Sequence, residues 1–238
     1  MRKEANEKRQ QILDTAYRLF REGGFEKTSV SKITSEVGGS KATLYNYFSS
    51  KEELFVECMF DVAEHYMEDV YSSFNNPKLD LAAALQGFGE NVIRLLCSQD
   101  MLSARRLMVS EAKRSGIGKL FYKKICSRLE QVTAFIDRAM DEGKLCRSDA
   151  MLAAFQLRAL VEAEIFEPYF YCVLEAPPTN LTIAQASERA VATFLRAYAP
   201  NTDTPVYQLE KRYICPGSHI YSQAWRQGTV GRSVPGVR

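Results

Sequence analysis

The sequence predicts an all-α protein: an N-terminal three-helix domain with a helix-turn-helix, followed by a larger helical domain, about nine helices in all. Three observations carry the prediction. Apolar residues recur at three- and four-residue steps nearly everywhere up to residue 199, and no stretch alternates long enough to build a sheet. Glycines, prolines and short polar residues punctuate that pattern at helix-length intervals. Between residues 28 and 51, two short helical patterns flank a Gly-Gly-Ser turn, and the second is too polar to be core.

The first helix is expected from about residue 4 to residue 22, with Ile12, Ala16, Leu19 and Phe20 on one face. Gly23-Gly24 stops it, since glycine closes a helix in the left-handed conformation at little steric cost. Phe25 then plugs a small core. Thr28 is placed to cap the second helix, whose buried stripe is Val30, Ile33 and Val37. Gly38 and Gly39 make the turn, and Ser40 caps the third helix. Ser50-Lys51-Glu52-Glu53 reads as a capping box opening a long fourth helix. On it Leu54, Phe55, Cys58, Met59, Val62, Tyr66 and Val70 keep the helical period until Asn75-Asn76-Pro77. Further helices are expected at about 78–98, 101–114, 117–142, 149–173 and 182–199. Gly143 is a stop, Ser148 a cap, Thr182-Ile183-Ala184-Gln185 another capping box, and Pro168 kinks or shortens the eighth helix. Beyond Pro200, scattered prolines, glycines and isolated aromatics such as Trp225 read as a loosely ordered tail. The expected division is therefore 1–50, 51–200 and 201–238.

An apolar fraction of 46% with 25% charged residues provides for a sizeable core. A net charge of only +2 requires any DNA contact to come from a local patch. No apolar run approaches the roughly 20 residues needed to cross a bilayer, and no hydrophobic segment follows the charged N-terminus. No membrane association and a cytoplasmic location are expected. The six cysteines are scattered without a C-x-x-C pair and there are two histidines, which argues against metal sites or disulfides. A redox-sensing Cys58 or Cys172 is the minority alternative. No nucleophile–base set, phosphate-binding glycine loop or metal spacing supports an enzyme, so no catalytic residue and no cofactor are expected.

The third helix carries the candidate DNA contacts. Lys41 can donate to guanine O6 and N7, and the Thr43 methyl can pack on a thymine methyl. Asn46 can bond an adenine edge if it faces the groove, and Tyr45 can reach the backbone or an adjacent base, or else bury its ring. The Thr28 hydroxyl with the first N–H groups of helix two would form a phosphate seat, joined by Tyr47 and Lys51. Ser40 and Ala42 complete the set. Leu44 and Phe48, four residues apart, are core.

Ile12-Leu13-Asp14-Thr15-Ala16, Leu19-Phe20, Gly24-Phe25, Thr28, the run Ser40 to Phe48 and Ser50-Lys51-Glu52-Glu53-Leu54 resemble the opening of the TetR/AcrR regulators. Two positions depart from that pattern: Gly39, where an apolar residue is usual, and Ala42, where glycine is common. Leu120-Phe121-Tyr122 is weakly similar to acyl- or drug-responsive members. The resemblance implies a homodimer on double-stranded DNA with a palindromic operator, its third helix in the major groove. A small-molecule effector would be held in the larger domain. There the candidate ligand contacts are Tyr66, Phe88, Val92, Met108, Phe121, Ile125, Phe155 and Glu162, and the Met- and Phe-rich composition favours an apolar or aromatic ligand. Of Glu162, Glu164 and Glu167, one facing inward would favour a cationic ligand. His65 is either a polar anchor or a surface residue. The dimer is expected to use Leu152, Phe155, Ala159 and Leu160 with Ala186, Ala190, Phe194 and Leu195.

Overall fold

The computed structural model describes residues 2–64 and 66–200, so His65 and the expected tail at 201–238 lie outside the described residues. Among the described residues there are eleven α-helices and no strand. The head comprises α1 (Arg2–Lys27), α2 (Val30–Val37), α3 (Lys41–Tyr45) and α4 (Lys51–Glu64). The body follows with α5 (Met67–Ser72), α6 (Leu81–Leu96), α7 (Gln99–Glu111), α8 (Ile117–Asp141), α9 (Ala150–Ala163), α10 (Phe166–Phe170) and α11 (Asn180–Ala197). Among these described helices, none is long and apolar enough to cross a membrane.

The two helices beyond the expected nine arise from two divisions. The fourth predicted helix breaks after Glu64 and resumes as α5, although its apolar period continues through the break. The eighth ends at Ala163 and restarts as the short α10, with Pro168 in the first turn of the new helix, where a missing N–H leaves no ladder bond unmade. α1 extends past Gly23 and bends at Gly24, whose φ of 75° is the left-handed conformation that glycine adopts freely.

Three caps differ from expectation by one to three residues. Ser29, not Thr28, caps α2, its Oγ accepting from Lys32 N–H at 3.1 Å. Asp149 replaces Ser148 on α9, accepting from Leu152 N–H at 2.9 Å. Thr179 replaces Thr182 on α11, accepting from Thr182 N–H at 3.2 Å. In each case the residue three before a free N–H holds the geometry a cap requires. At the start of α4, Ser50 Oγ accepts from Glu53 N–H at 3.0 Å, while Glu53 accepts from Ser49 N–H at 2.6 Å rather than from Ser50. The box is thus offset by one residue.

Two apolar cores result. The first gathers Ile12, Leu13, Ala16, Leu19 and Phe20 of α1 with Ile33, Leu44, Phe48 and the Leu54–Met59 stretch of α4, and it extends to Ala104 and Met108 of α7 and Ile117 of α8. Phe20, Phe25 and Phe55 interlock in it, with ring centroids 5.0 Å to 5.9 Å apart. The second fills the body and includes Ala63 at the far end of α4. α6 and α11 pack closely, which Gly89 allows: a Cβ there would collide with Ser187 Oγ, itself donating to Gln86 O at 2.8 Å. Ala186, Ala190 and Phe194, expected at a dimer interface, are buried within the chain's own core. Leu152, Phe155, Leu160 and Leu195 are half-buried and Ala159 is exposed, so these remain available to a partner.

Candidate nucleic-acid interface and effector cavity

The helix-turn-helix is locked from three sides. Lys8 of α1 donates to Val37 O at 2.9 Å and Gly38 O at 2.8 Å, placing a cation on the negative end of α2 and satisfying two carbonyls that the helix leaves open. Gly38, with φ 70°, and Gly39, with φ 159°, carry the turn. Ser40 Oγ accepts from Thr43 N–H at 3.1 Å and lies 3.0 Å from the Thr43 hydroxyl. Leu44 and Phe48, 1% and 2% exposed, pin α3 to the core as expected.

What α3 shows to solvent follows from that anchoring. Lys41, Ala42, Tyr45 and Asn46 are all exposed, and their spacing of one, three and four residues puts them on a single face. Tyr45, for which a buried ring was the alternative, is 47% exposed. Thr43 and Tyr47 are half-buried at the edges of this face. Ser40 is exposed, and its hydroxyl is committed to its cap. Half-buried Lys51 holds its ammonium 4.0 Å from the centre of the Phe25 ring, a cation–π contact beside the start of α4. Thr28 requires a correction. It is 2% exposed, and its hydroxyl donates inward to Leu19 O at 3.0 Å and Gly24 O at 2.9 Å. Its hydroxyl therefore braces the bend of α1 and is turned away from any phosphate.

Helices α4 to α9 line a partly open cavity of about 140 Å³ whose surface is almost wholly apolar. Six of the eight candidate contacts line it: Phe88, Val92, Met108, Phe121, Ile125 and Glu162. Tyr66 and Phe155 do not. Tyr66 packs partly buried against the second core, and Phe155 stacks on Tyr122 with the ring planes 8° apart. Met59, Ala104 and Met108 line the cavity and also belong to the first core, so one wall is shared with the head.

Three polar groups at the cavity, Arg105, Arg128 and Arg158, are ones sequence reasoning missed. Glu162 faces inward, its side chain 12% exposed, and it is already paired: Arg105 donates to it at 3.1 Å and Arg158 at 2.6 Å. The conditional expectation of a cationic ligand is thereby overturned, because two guanidiniums already neutralise that carboxylate. Burial pushes the Arg105 guanidinium below its ordinary value, with Glu162 opposing, and the same guanidinium lies 4.6 Å from the Phe166 ring centre. Arg128 also lines the cavity and pairs with Glu64. Arg105 follows Leu102 by three residues and precedes Met108 by three, an apolar spacing that was the one signal of its inward position.

Two candidate sensor thiols separate by environment. Burial pushes the Cys58 thiol well above its usual value, helped by Asp61, Glu57 and Asp14, which is the opposite of what a reactive thiolate needs. Cys172 is exposed, and Arg106 donates to its sulfur at 3.2 Å.

Comparison with known proteins agrees along most of the chain. Residues 12–58 match the family profile described as bacterial regulatory proteins of the tetR family. Residues 83–200 match the C-terminal domain described for AefR-like transcriptional repressors. YerO, an HTH-type transcriptional regulator of Bacillus subtilis (strain 168), is 38% identical over 77 residues, 32% of this chain and 25% of that one. An HTH-type transcriptional regulator of Staphylococcus aureus (strain USA300) is 33% identical over 104 residues, 41% of this chain. The chain spans a quarter of the length of the former and 56% of the latter. Among solved structures, the flavonoid-responsive regulator FrrA is 28% identical, with a TM-score of 0.66 over 82% of this chain and 99% of that one. With both halves of the fold matched by profiles of one family, the chain belongs to the TetR family of transcriptional regulators.

Proposed function

We propose that this protein is a sequence-specific transcriptional repressor that binds a palindromic operator as a homodimer and is released by a small apolar or aromatic ligand in the body cavity. The observation that carries the reading is the shared wall. Met59 and Met108 line the cavity on one side and pack into the core beneath α1 and α4 on the other.

On DNA, the exposed face of α3 reads the major groove, with Lys41 on a guanine edge or phosphate and Tyr45 and Asn46 beside it. Tyr47 and Lys51 take phosphates at the margin. Two such heads enter successive major grooves only when about 34–36 Å apart. A ligand that fills the cavity displaces Met59 and Met108, and α4 carries that displacement to the head. The ligand selects the spacing that does not fit the operator, a population shift set by its differential affinity for the two states. The repressor description of the C-terminal profile and the flavonoid response named for FrrA support this reading. Leu152, Phe155, Ala159, Leu160 and Leu195 form the proposed dimer contact.

The test is capture of sheared genomic DNA from the source organism by the purified protein, with a Lys41→Ala, Tyr45→Ala double variant as control. Recovery of a few fragments sharing a palindrome, lost in the variant, supports the reading. Uniform retention of all fragments, or equal recovery by the variant, rejects it.

A further inference from the structure

The cavity is apolar over almost its whole surface, yet three guanidiniums border it: Arg105 of α7, Arg128 of α8 and Arg158 of α9. Against them stand Glu162, which also borders the cavity, and Glu64, which pairs with Arg128 from outside it. Glu167 acts on Arg105 as well, from an exposed position and without a direct contact, so Arg105 and Arg158 share Glu162 as their contacting carboxylate. Arginine does not lose its proton in a folded protein, so both guanidiniums stay charged at every physiological pH.

The donors are not exhausted either. Each guanidinium carries five N–H groups, and Glu162 accepts one bond from Arg105 and two from Arg158. Arg105 and Arg158 sit on different helices and are close enough to repel one another, with Glu162 as the anion between them. An apolar cavity bordered by two guanidiniums that share one carboxylate and keep unspent donors favours a ligand with an apolar body and an anionic end, since a buried carboxylate is tolerated only where it is paired and hydrogen-bonded.

We propose that the effector is an organic acid with an apolar body about the size of one aromatic ring, its carboxylate held by Arg105 and Arg158 in competition with Glu162. A ring of that size fits the volume: about 140 Å³ is close to the roughly 150 Å³ of an apolar cavity that accepts benzene. This rests on the cavity being the effector site. By exchanging partners on Arg105 and Arg158, the incoming carboxylate loosens the tie between α7 and α9, and α7 carries the Ala104 and Met108 wall that the head packs against.

The experiment uses three probes that share one ring: 4-fluorophenylacetate, 4-fluorophenylacetamide and 4-fluorophenethylamine. They are titrated into the full chain and followed by ligand-observed fluorine NMR. The acid is expected to bind about ten-fold tighter than the amide, the difference between a charge-assisted and a neutral hydrogen-bonded contact, and the amine weakest. Glu162→Gln removes the internal competitor and tightens the acid more than the amide. Should that variant melt early, Arg158→Gln takes its place and loosens the acid more than the amide. Met108→Trp fills the cavity and weakens every probe. Equal binding of all three, or preference for the amine, overturns the acid class and leaves the cavity as effector site. An acid preference that survives Met108→Trp overturns the proposal by placing the binding elsewhere. Binding of none of the probes overturns both the acid class and the cavity as effector site.

Discussion

Lys8 and Val37 are 29 residues apart in sequence, yet the ammonium of the first closes the carbonyl end of the helix that the second completes, at 2.9 Å. The contact does for α2 what a C-terminal capping motif would otherwise do, and it fixes the angle at which the turn delivers α3. Lys8→Met keeps the length of the side chain and removes the charge. The expected loss is about 0.5–1 kcal/mol for a partly exposed charge at a helix terminus, read by urea denaturation. Operator affinity at equal folded fraction should fall as well, since α3 loses one of its supports.

The exposed and buried residues of α3 should separate cleanly by readout. Tyr45→Ala and Lys41→Ala are expected to leave the melting temperature in place and to weaken operator binding. If Lys41 meets a phosphate, its loss also lowers the slope of log affinity against log salt by about one; if it reads a base, the slope holds. Leu44→Ala should instead cost about 2–5 kcal/mol of stability as a large-to-small change in a closed core. Thr28→Val belongs with Leu44: an isosteric loss of a hydroxyl that donates inward is expected to cost about 1 kcal/mol and to spare DNA binding when compared at equal folded fraction. A Thr28→Val protein that folds normally and loses its operator would restore the phosphate contact to this residue.

Gly89 marks a site where the body admits no extra carbon. Gly89→Ala drives a Cβ into Ser187 Oγ and to 3.3 Å from Val161 Cγ2, and about 1–3 kcal/mol of destabilisation is expected from overpacking. Adding Ser187→Ala should recover part of that loss, although the bond to Gln86 O goes with it. Simple additivity of the two single variants in thermal denaturation would contradict the clash.

At acid pH, Glu53 should report on the junction between α3 and α4. Its hydrogen bonds from Ser49 hold its carboxyl below the ordinary value of 4.5, against an opposing effect of burial. A carboxylate depressed in the folded state stabilises the fold above its unfolded value, and that contribution is lost as pH falls through the folded one. Wild type should therefore lose stability on acidification below about pH 4.5 more steeply than Glu53→Gln. Parallel curves of stability against pH for the two proteins would show that Glu53 is not a source of that slope.

Where sequence and structure part company, the cause is tertiary. The turn at Gly38-Gly39 and the Ser40 cap are legible because backbone chemistry alone dictates them. Thr28 and Ser29 are adjacent and both are capable caps; only the carbonyls of Leu19 and Gly24, brought near by the bend in α1, claim Thr28. The break near Tyr66 leaves no mark in sequence, because the apolar period runs through it without glycine or proline. Phe88, Met108 and Phe121 could be named for the cavity since large apolar residues on these helices must pack somewhere inside. Arg105 and Arg158 could not, because a charged residue on an amphipathic helix reads as its wet face until a partner such as Glu162 is brought to it from elsewhere in the fold.

The wall that Met59 and Met108 contribute has an evolutionary consequence. Because the same side chains shape the chamber and support the head, a lineage that retuned its effector would, on the proposed function, also reset how tightly its genes are silenced when no compound is present. New specificity arrives together with altered leakiness, and descendants are expected to recover tight silencing through second changes in α1 or α4. Methionine softens that coupling, since its flexible thioether re-forms around a different shape with little strain. On the proposed function and ligand class, such a sensor would drift readily among chemically related signals and change class by altering its arginines.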